Sequence, residues 1–256
     1  MAHSKKLLRV GLIKAIPHKW NLEANWRIFE TFAQKAVQNG CQLICTPECF
    51  LDGYVAPEMK SFSKDSLYEI SQSLDDGFYI KKALSFANEH KVYLVFGFTE
   101  RVGDGCYNAA ALIDDRGTLL GCYRKTHLLD HDRCYLPGED FPVWETAFGA
   151  MGIMICADRR WPETARTLKV RGAEIIMNPT YGMWHLENEW WMRTRSYENE
   201  LYICFTHPNV SLITDPNGKI AAKLQSNVPD VLIHDIDLSL TVNEMFPYRR
   251  TDIYEL

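Results

Sequence analysis

Short apolar runs alternate along this chain with stretches whose apolar residues recur at helical spacing. Leu7-Leu-Arg-Val-Gly-Leu-Ile-Lys-Ala15 reads as a first strand. From Leu22 to Asn39 the apolar positions Leu22, Trp26, Phe29, Phe32, Ala33, Ala36 and Val37 fall on one helical face, and Gly40 supplies a stop. Cys41 to Cys45 is a short second strand that leaves through Thr46-Pro47-Glu48. Strand, helix and strand in this order predict a β-α-β unit with neighbouring strands on a right-handed crossover.

The pattern continues with a polar segment over 60–76 that reads as a loop leading into a helix, then a helix from Gly77 to His90 and a β-rich run, Val92 to Phe98. Asn108 to Ile113 and Leu119 to Tyr123 flank Asp114-Asp-Arg-Gly117, the signature of a hairpin. Gly152-Ile-Met-Ile155 is an apolar run ending at Cys156, and Pro162 suits the first turn of the next helix, Thr164 to Arg171. A strand over Ala173 to Met177, a helix over Glu187 to Asn199 rich in Trp and Arg, and a strand over Leu201 to Thr206 follow. Thr214-Asp-Pro-Asn-Gly218 turns between Ser211–Ile213 and Ile220–Leu224, and Val231 to Leu238 alternates as a last strand. The segment from about residue 245 to 256 is polar and aromatic and cannot fold alone; it is expected to dock on a partner subunit or on a distant face of its own chain.

One internal echo stands out. Gly40-Cys-Gln-Leu-Ile-Cys-Thr-Pro47 and Gly172-Ala-Glu-Ile-Ile-Met-Asn-Pro179 share Gly-x-x-(Leu/Ile)-Ile-x-x-Pro, each after a helix and each as a strand. Two matching β-α-β pieces fit a two-sheet sandwich covered by helices, with a pseudo-twofold between halves.

Composition narrows the class. At 256 residues, 46% hydrophobic and 24% charged, the chain has the make-up of a soluble protein with a full core. Without low-complexity stretches or long linkers it is read as one continuous domain over 1–256. A net charge of −5 points away from nucleic acid and from anionic membranes. The polar opening Met1 to Lys6 and the brief run after it match neither a signal peptide nor a membrane span, so the eight cysteines are expected to be reduced thiols in the cytoplasm.

The candidate chemistry lies at strand ends. Cys156 sits on the turn between a strand and a helix, where backbone N–H groups, a helix N-terminus and Arg159 and Arg160 favour a thiolate, the nucleophile of covalent catalysis. Glu48, among Cys49, Phe50 and Leu51, is partly desolvated, which favours the protonated form and suits a general base. Lys125, expected at the end of an inner strand, supplies charge for a thiolate or a developing oxyanion. It and the helix end pull the Cys156 thiol down while Glu48 pushes it up. Each residue alone has a plainer reading: a small core cysteine, a solvated loop carboxylate, a surface lysine. His127, His131 and Cys134 are spaced as part of a metal site, but a fourth ligand is missing from the segment.

Together, Pro47-Glu48, Tyr123-Arg-Lys125-Thr-His127 and Gly152-Ile-Met-Ile-Cys156 resemble the nitrilase superfamily of carbon–nitrogen hydrolases. Pro137-Gly138, Asp158-Arg-Arg-Trp-Pro-Glu163, Arg171-Gly-Ala-Glu-Ile-Ile176, Arg195-Ser-Tyr-Glu-Asn199 and Asp215-Pro-Asn-Gly218 extend the likeness over nearly the whole chain. The resemblance implies an α/β fold, a four-layer α-β-β-α sandwich, and a Glu-Lys-Cys triad. Cys156 would be the nucleophile, Glu48 the general base, and Lys125 with the backbone N–H of Ala157 the support for a tetrahedral intermediate. It implies no metal or organic cofactor and a homodimer or larger homo-oligomer.

Cys156-Ala-Asp-Arg-Arg-Trp-Pro-Glu163 is especially similar to N-carbamoyl-D-amino-acid amidohydrolases, which implies that Arg159 holds a substrate carboxylate; Tyr54, Trp161 and Tyr181 are the further pocket candidates. Two departures accompany the likeness. The second glutamate that many members carry before Pro-Gly is absent from Leu128 to Leu136, leaving its place to His131 or Asp132, and Tyr181 stands where the carbamoylase-like pocket has an asparagine. The expected function is hydrolysis of a linear amide or N-carbamoyl bond in a small, carboxylate-bearing molecule. The alternatives are a binding protein of the same fold, a nitrile hydrolase, and a metal-dependent hydrolase.

Overall fold

The computed structural model describes residues 7–61, 64–183, 187–241 and 243–254. The first strand, β1 (Leu7–Lys14), runs into helix α1 (Leu22–Gln38), which opens where Asn21 accepts the Ala24 N–H at 3.0 Å. The helix closes at Asn39, and Gly40 follows at φ +77°. Its buried residues, Asn25, Trp26, Phe29, Ala33 and Ala36, form one stripe. Next come β2 (Leu43–Cys45), α2 (Lys64–Ile70), α3 (Phe78–His90), and β3 (Tyr93–Val102), β4 (Gly105–Ile113) and β5 (Leu119–Arg124). The second half holds β6 (Val143–Thr146), β7 (Gly149–Ile153), α4 (Pro162–Val170), β8 (Ile175–Pro179), α5 (Glu187–Asn199), β9 (Tyr202–Thr206), β10 (Val210–Thr214) and β11 (Ile220–Gln225); β12 (Asp230–Asp237) returns to β1.

Two six-stranded sheets result, in the orders β12-β1-β2-β3-β4-β5 and β11-β10-β9-β8-β7-β6. The parallel trio β1, β2, β3 of the first matches the parallel trio β7, β8, β9 of the second. In each sheet one antiparallel strand flanks the trio on one side and two on the other. The echoed sequences are β2 and β8, the middle strand of each trio, so the internal likeness read from the sequence is a likeness of whole sheets.

Period-two alternation sorts the side chains into layers. Leu8, Val10 and Leu12 of β1, Val95 of β3 and Leu112 of β4 face Met151 and Ile153 of β7, Ile175 and Met177 of β8, and Cys204 of β9 between the sheets. The opposite face of the first sheet, with Leu94, Phe96 and Phe98, carries Trp26 and Phe29 of α1 and Ile80 and Phe86 of α3. The outer face of the second sheet, with Ile176, Ile203 and Phe205, carries Ala165 and Leu168 of α4 and Met192 of α5. Each fully buried side chain of this size contributes about 1.5–3 kcal/mol, so all three apolar layers stabilise the sandwich. The α-β-β-α architecture expected from the sequence is the observed one.

Three local expectations are corrected. Helix α2 lies inside the segment read as a polar loop, and β6, with only Val143 and Trp144 as large apolar residues, had no run to announce it. The strand leading to Cys156 is β7, which ends at Ile153, and a short 3-10 helix (Cys156–Arg160) separates the cysteine from α4. Lys125 follows β5, which is the edge strand of its sheet rather than an inner one. The polar opening segment, 1–6, lies outside the described residues. The C-terminal segment lies on its own chain: Glu200 accepts the N–H groups of Glu244, Met245 and Phe246, and the Phe246 ring sits under Arg166 and Lys169 of α4. No helix among the described residues is long and apolar enough to cross a membrane.

Candidate active site

The functional candidates converge where the parallel strands end. Past β2 the chain turns through Thr46 and Pro47 to Glu48, which has no exposed surface. That turn is seated on Gly97 of β3. The Gly97 N–H donates to Thr46 Oγ1 at 2.8 Å and its carbonyl accepts from the Leu51 N–H at 3.2 Å, while any Cβ at 97 would fall 2.3 Å from the Pro47 carbonyl oxygen. Only glycine permits this approach, and the approach sets the height of Glu48.

Lys125 is delivered by β5, its N–H donating to the Asn108 carbonyl at 2.8 Å. Gly138 then lies against the same stretch, donating to the Lys125 carbonyl at 2.8 Å, and a Cβ there would meet the Arg124 carbonyl. The Lys125 ammonium is buried between two carboxylates, donating to Glu48 Oε1 at 2.9 Å and Asp132 Oδ2 at 2.7 Å. Burial alone would lower it, but Glu48, Cys156 and Asp132 outweigh that and hold it well above its ordinary value.

Glu48 is fully occupied. Oε1 also accepts from Asn108 Nδ2 at 2.8 Å, and Oε2 accepts the Tyr181 N–H, delivered from beyond β8, at 2.9 Å. The opposite oxygen of Asp132 accepts the Tyr54 hydroxyl at 2.9 Å. Of the two residues open for the missing second glutamate, Asp132 therefore contacts the lysine, whereas His131 is half exposed, with Nε2 3.8 Å from Asp132 Oδ2.

Cys156 opens the short 3-10 helix at φ +45°, a conformation that a non-glycine residue adopts only where its surroundings enforce it. The surroundings do so. The Met154 N–H donates to the Met177 carbonyl, Asn178 Nδ2 donates to the Met154 carbonyl at 2.9 Å, and the Ile155 N–H donates to Asp158 Oδ2 at 2.8 Å. Asp158 is also a clasp across the two sheets. It accepts from the Tyr123 hydroxyl at 2.7 Å, from Thr126 Oγ1 and the His127 N–H at 3.0 Å each, and from His127 Nδ1 at 2.7 Å. It thus fixes the exit of the Lys125 strand to the Cys156 turn. Ala157 follows on that turn, at a helix start where backbone N–H groups lack intrahelical acceptors.

The balance of opposing charges at the thiol, left open by the sequence, falls on the side of the raised value. Burial first, then Glu48, raise Cys156 above its ordinary value, against the lowering pull of Arg159 and Lys125. The group is a protonated thiol beside a carboxylate, an arrangement suited to proton transfer from sulfur to oxygen.

Of the pocket candidates, Tyr54 and Tyr181 meet with ring centroids 5.1 Å apart beside Lys125 and Glu48. The buried Arg159 guanidinium donates from Nε and Nη2 to Asn188 Oδ1 of α5 at 3.0 and 2.7 Å, and Nη1 lies 3.4 Å from Cys156 Sγ. Nη1 is thus the nitrogen that faces the sulfur, while Nη2 also donates to the Gly182 carbonyl at 3.4 Å. Trp161 stacks on His127 at 4.3 Å, joining the site through the Asp158 clasp rather than through the sulfur. The His127, His131 and Cys134 set comes apart: His127 is taken by Asp158, His131 stands edge-on to Tyr54, and Cys134 packs against the apolar cluster that includes Cys49 and Tyr135. Among the described residues no group of three or more His, Cys, Asp or Glu side chains is arranged to hold a metal ion. Asn108, Asn178 and the Asp158 clasp were not singled out by sequence reasoning, and Asp132 was named only as an alternative to His131. Of the three missed, only Asp158 carried a signal, its place two residues past the cysteine.

A carbon–nitrogen hydrolase family model matches residues 9–243. The chain belongs to the carbon–nitrogen hydrolase family. Curated relatives include a nitrilase of Pyrococcus abyssi, 29% identical over 97% of this chain and 99% of its own length, and a citrullinase of Francisella tularensis, 29% identical over 86% of this chain and 88% of its own. Among solved structures, Nit3 of Saccharomyces cerevisiae, a member of branch 10 of the nitrilase superfamily, superposes with a TM-score of 0.85 at 23% identity, covering 98% of this chain and 97% of its own. This carbon–nitrogen hydrolase is thus a nitrilase-superfamily enzyme with the fold of its relatives.

Proposed function

We propose that this enzyme hydrolyses a linear amide or N-carbamoyl bond of a small, carboxylate-bearing molecule through a thioester on Cys156. The observation that carries the reading is the contact of Lys125 with Glu48 and Asp132, all three buried, at a site where both Glu48 and Lys125 act electrostatically on the Cys156 thiol. Glu48 takes the thiol proton as sulfur adds to the carbonyl carbon, and the oxyanion forms against the Lys125 ammonium and the Ala157 N–H. Collapse breaks the C–N bond, Glu48 returns the proton to nitrogen, and ammonia or an amine leaves. Water then gives a proton to Glu48 and adds to the thioester; collapse expels the thiolate, which recovers that proton. The second product is a carboxylic acid or, from an N-carbamoyl substrate, a carbamic acid.

Arg159 is the anchor assigned to the substrate carboxylate, met through Nη1 because Asn188 and the Gly182 carbonyl engage Nε and Nη2. The relative named a citrullinase, a name that implies a ureido acid, supports this substrate class. The same reading includes a homo-oligomer, with the exposed Met245, Tyr248 and Ile253 offered to a second copy, and a reducing, cytoplasmic setting for eight free thiols.

The test is ammonia release from short amides, ω-amides of dicarboxylates and N-carbamoyl amino acids, with Cys156→Ala alongside. Turnover confined to carboxylate-bearing substrates and lost in the variant is the expected result. Turnover that survives in Cys156→Ala overturns the mechanism, and turnover of neutral amides alone overturns the substrate class.

A further inference from the structure

Between β8 and α5 the chain passes the sulfur at Gly182, a glycine that neither backbone conformation nor packing requires. Every other glycine of the chain either stands at positive φ or would bring a Cβ to 3.0 Å or less from a neighbouring atom. At this segment the left-handed conformation falls on Met183 instead, at φ +63°. Apart from chain neighbours and among the described residues, a Cβ at 182 would meet one atom within 4 Å, the Sγ of Cys156 at 3.9 Å. That separation is an ordinary van der Waals contact. The protein would tolerate a side chain there, and the side chain would stand beside the reacting sulfur.

The segment is held too firmly to recoil. The Tyr181 N–H donates to Glu48 Oε2 at 2.9 Å, the Gly182 carbonyl accepts from Arg159 Nη2 at 3.4 Å, and the Met183 carbonyl accepts from Asn188 Nδ2 at 2.6 Å. Asn188 is itself buried and also holds Arg159. A methyl added at 182 therefore projects beside the sulfur instead of being absorbed by main-chain movement. In the proposed addition the substrate oxygen turns to Lys125 and the Ala157 N–H, and the departing nitrogen to Glu48. The third substituent of the carbonyl carbon carries the carboxylate towards Arg159 Nη1, which lies 3.4 Å from the sulfur on the side chain that also grips the Gly182 carbonyl. The first carbon of that arm passes Gly182.

We infer that Gly182 is a specificity-determining residue: its missing side chain leaves room beside the Cys156 sulfur for a substituted carbon next to the scissile carbonyl, so the enzyme accepts arms that branch there. A larger residue at 182 confines it to unbranched arms. This deepens the proposed function and rests on Cys156 being the atom that attacks and Arg159 the group that draws the arm.

The test compares parent and Gly182→Ala on two probes, the monoamide of succinate and its analogue with a methyl on the carbon next to the amide. The parent is expected to use both with kcat/KM within about threefold, and the variant to disfavour the methyl analogue by a further factor of about ten or more, the effect of one methyl group too many in a confined space. The melting temperature is expected to stay at the parental value. An unaltered ratio, or a parent that itself rejects the branched amide, overturns the assignment. So does a variant that melts lower or fails to fold, because the steric argument requires the added Cβ to be tolerated. If neither amide is turned over, the proposed function fails, and alkylation of Cys156 followed by mass spectrometry still decides the role of Gly182. The ratio of the rates with iodoacetamide and with the branched 2-iodopropionamide is expected to rise about tenfold in the variant; an equal ratio in both proteins refutes it.

Discussion

The two halves of the molecule repeat one scaffold and divide one chemistry. Both place a parallel trio of strands at the centre of a six-stranded sheet, and in both a proline stands at or just past the end of the middle strand, Pro179 and Pro47. Past Pro47 comes Glu48; past Pro179 come Thr180 and Tyr181, of which Tyr181 contributes a main-chain N–H. The first half supplies the charges: Glu48, Lys125 with its edge strand, and Asp132 in the linking segment before β6. The second supplies shape: a cysteine at positive φ, a backbone donor and a guanidinium tied to Asn188. A duplicated framework thus fixes where groups stand, while the groups themselves have diverged, and the site exists only where the two halves meet.

Breaking the charged side carries the largest expected effect. Asp132→Asn leaves Lys125 with a single buried carboxylate and Tyr54 with a weaker acceptor. A stability loss of about 3–5 kcal/mol, the range for breaking buried pairs, is expected in denaturant titrations, with kcat/KM down roughly a hundredfold. Near-parental values would show that the second carboxylate is dispensable and that charge is less concentrated in the first half than the geometry indicates.

Asp52 sharpens the comparison from outside the machinery. Buried past Glu48, with Oδ1 accepting the N–H and hydroxyl of Thr99 at 3.0 Å each, it is pushed up to about 6 by burial. A carboxyl raised above its unfolded value binds more protons in the folded state between about pH 4 and 6, so folding stability falls as pH rises through that window and stays reduced above it. The loss is roughly 3 kcal/mol, and Asp52→Asn should flatten the slope measured by thermal melts from pH 4 to 7. A slope unchanged in the variant would assign the pH dependence elsewhere.

Gly97→Ala asks whether the first half also depends on shape. Its Cβ would displace the Pro47 carbonyl and lift Glu48, at a cost of about 1–3 kcal/mol for forced backbone movement. Activity is expected to fall further than stability, since small misplacements of a reacting group weigh heavily on rate. Equal losses in both would make Gly97 a packing position only.

Much of this was readable from the chain because it is local. Hydrophobic period gave the strands and helices, the Gly-to-Pro echo suggested a two-sheet sandwich of paired halves, the family resemblance implied its four layers, and Glu48, Lys125 and Cys156 each sit at the end of a run that announces a strand. What escaped is non-local. Asn108 sits inside β4, just ahead of its alanine run, and nothing in its neighbours points sixty residues back to Glu48. Asp132 was one of two alternatives until the fold of the 130–132 turn decided between them. Strand β6 escaped for the opposite reason, since an edge strand with two large apolar residues has too little pattern to read.

The buried, protonated state of Cys156 also bears on chemical durability. All eight thiols of this chain are made weaker acids than an ordinary cysteine by burial. Peroxides and electrophiles react with thiolate, so a resting molecule offers them little. In the proposed mechanism sulfur becomes reactive only as Glu48 takes its proton, which would tie the lifetime of the vulnerable species to the occupancy of the pocket and make the enzyme hardest to oxidise when it is idle.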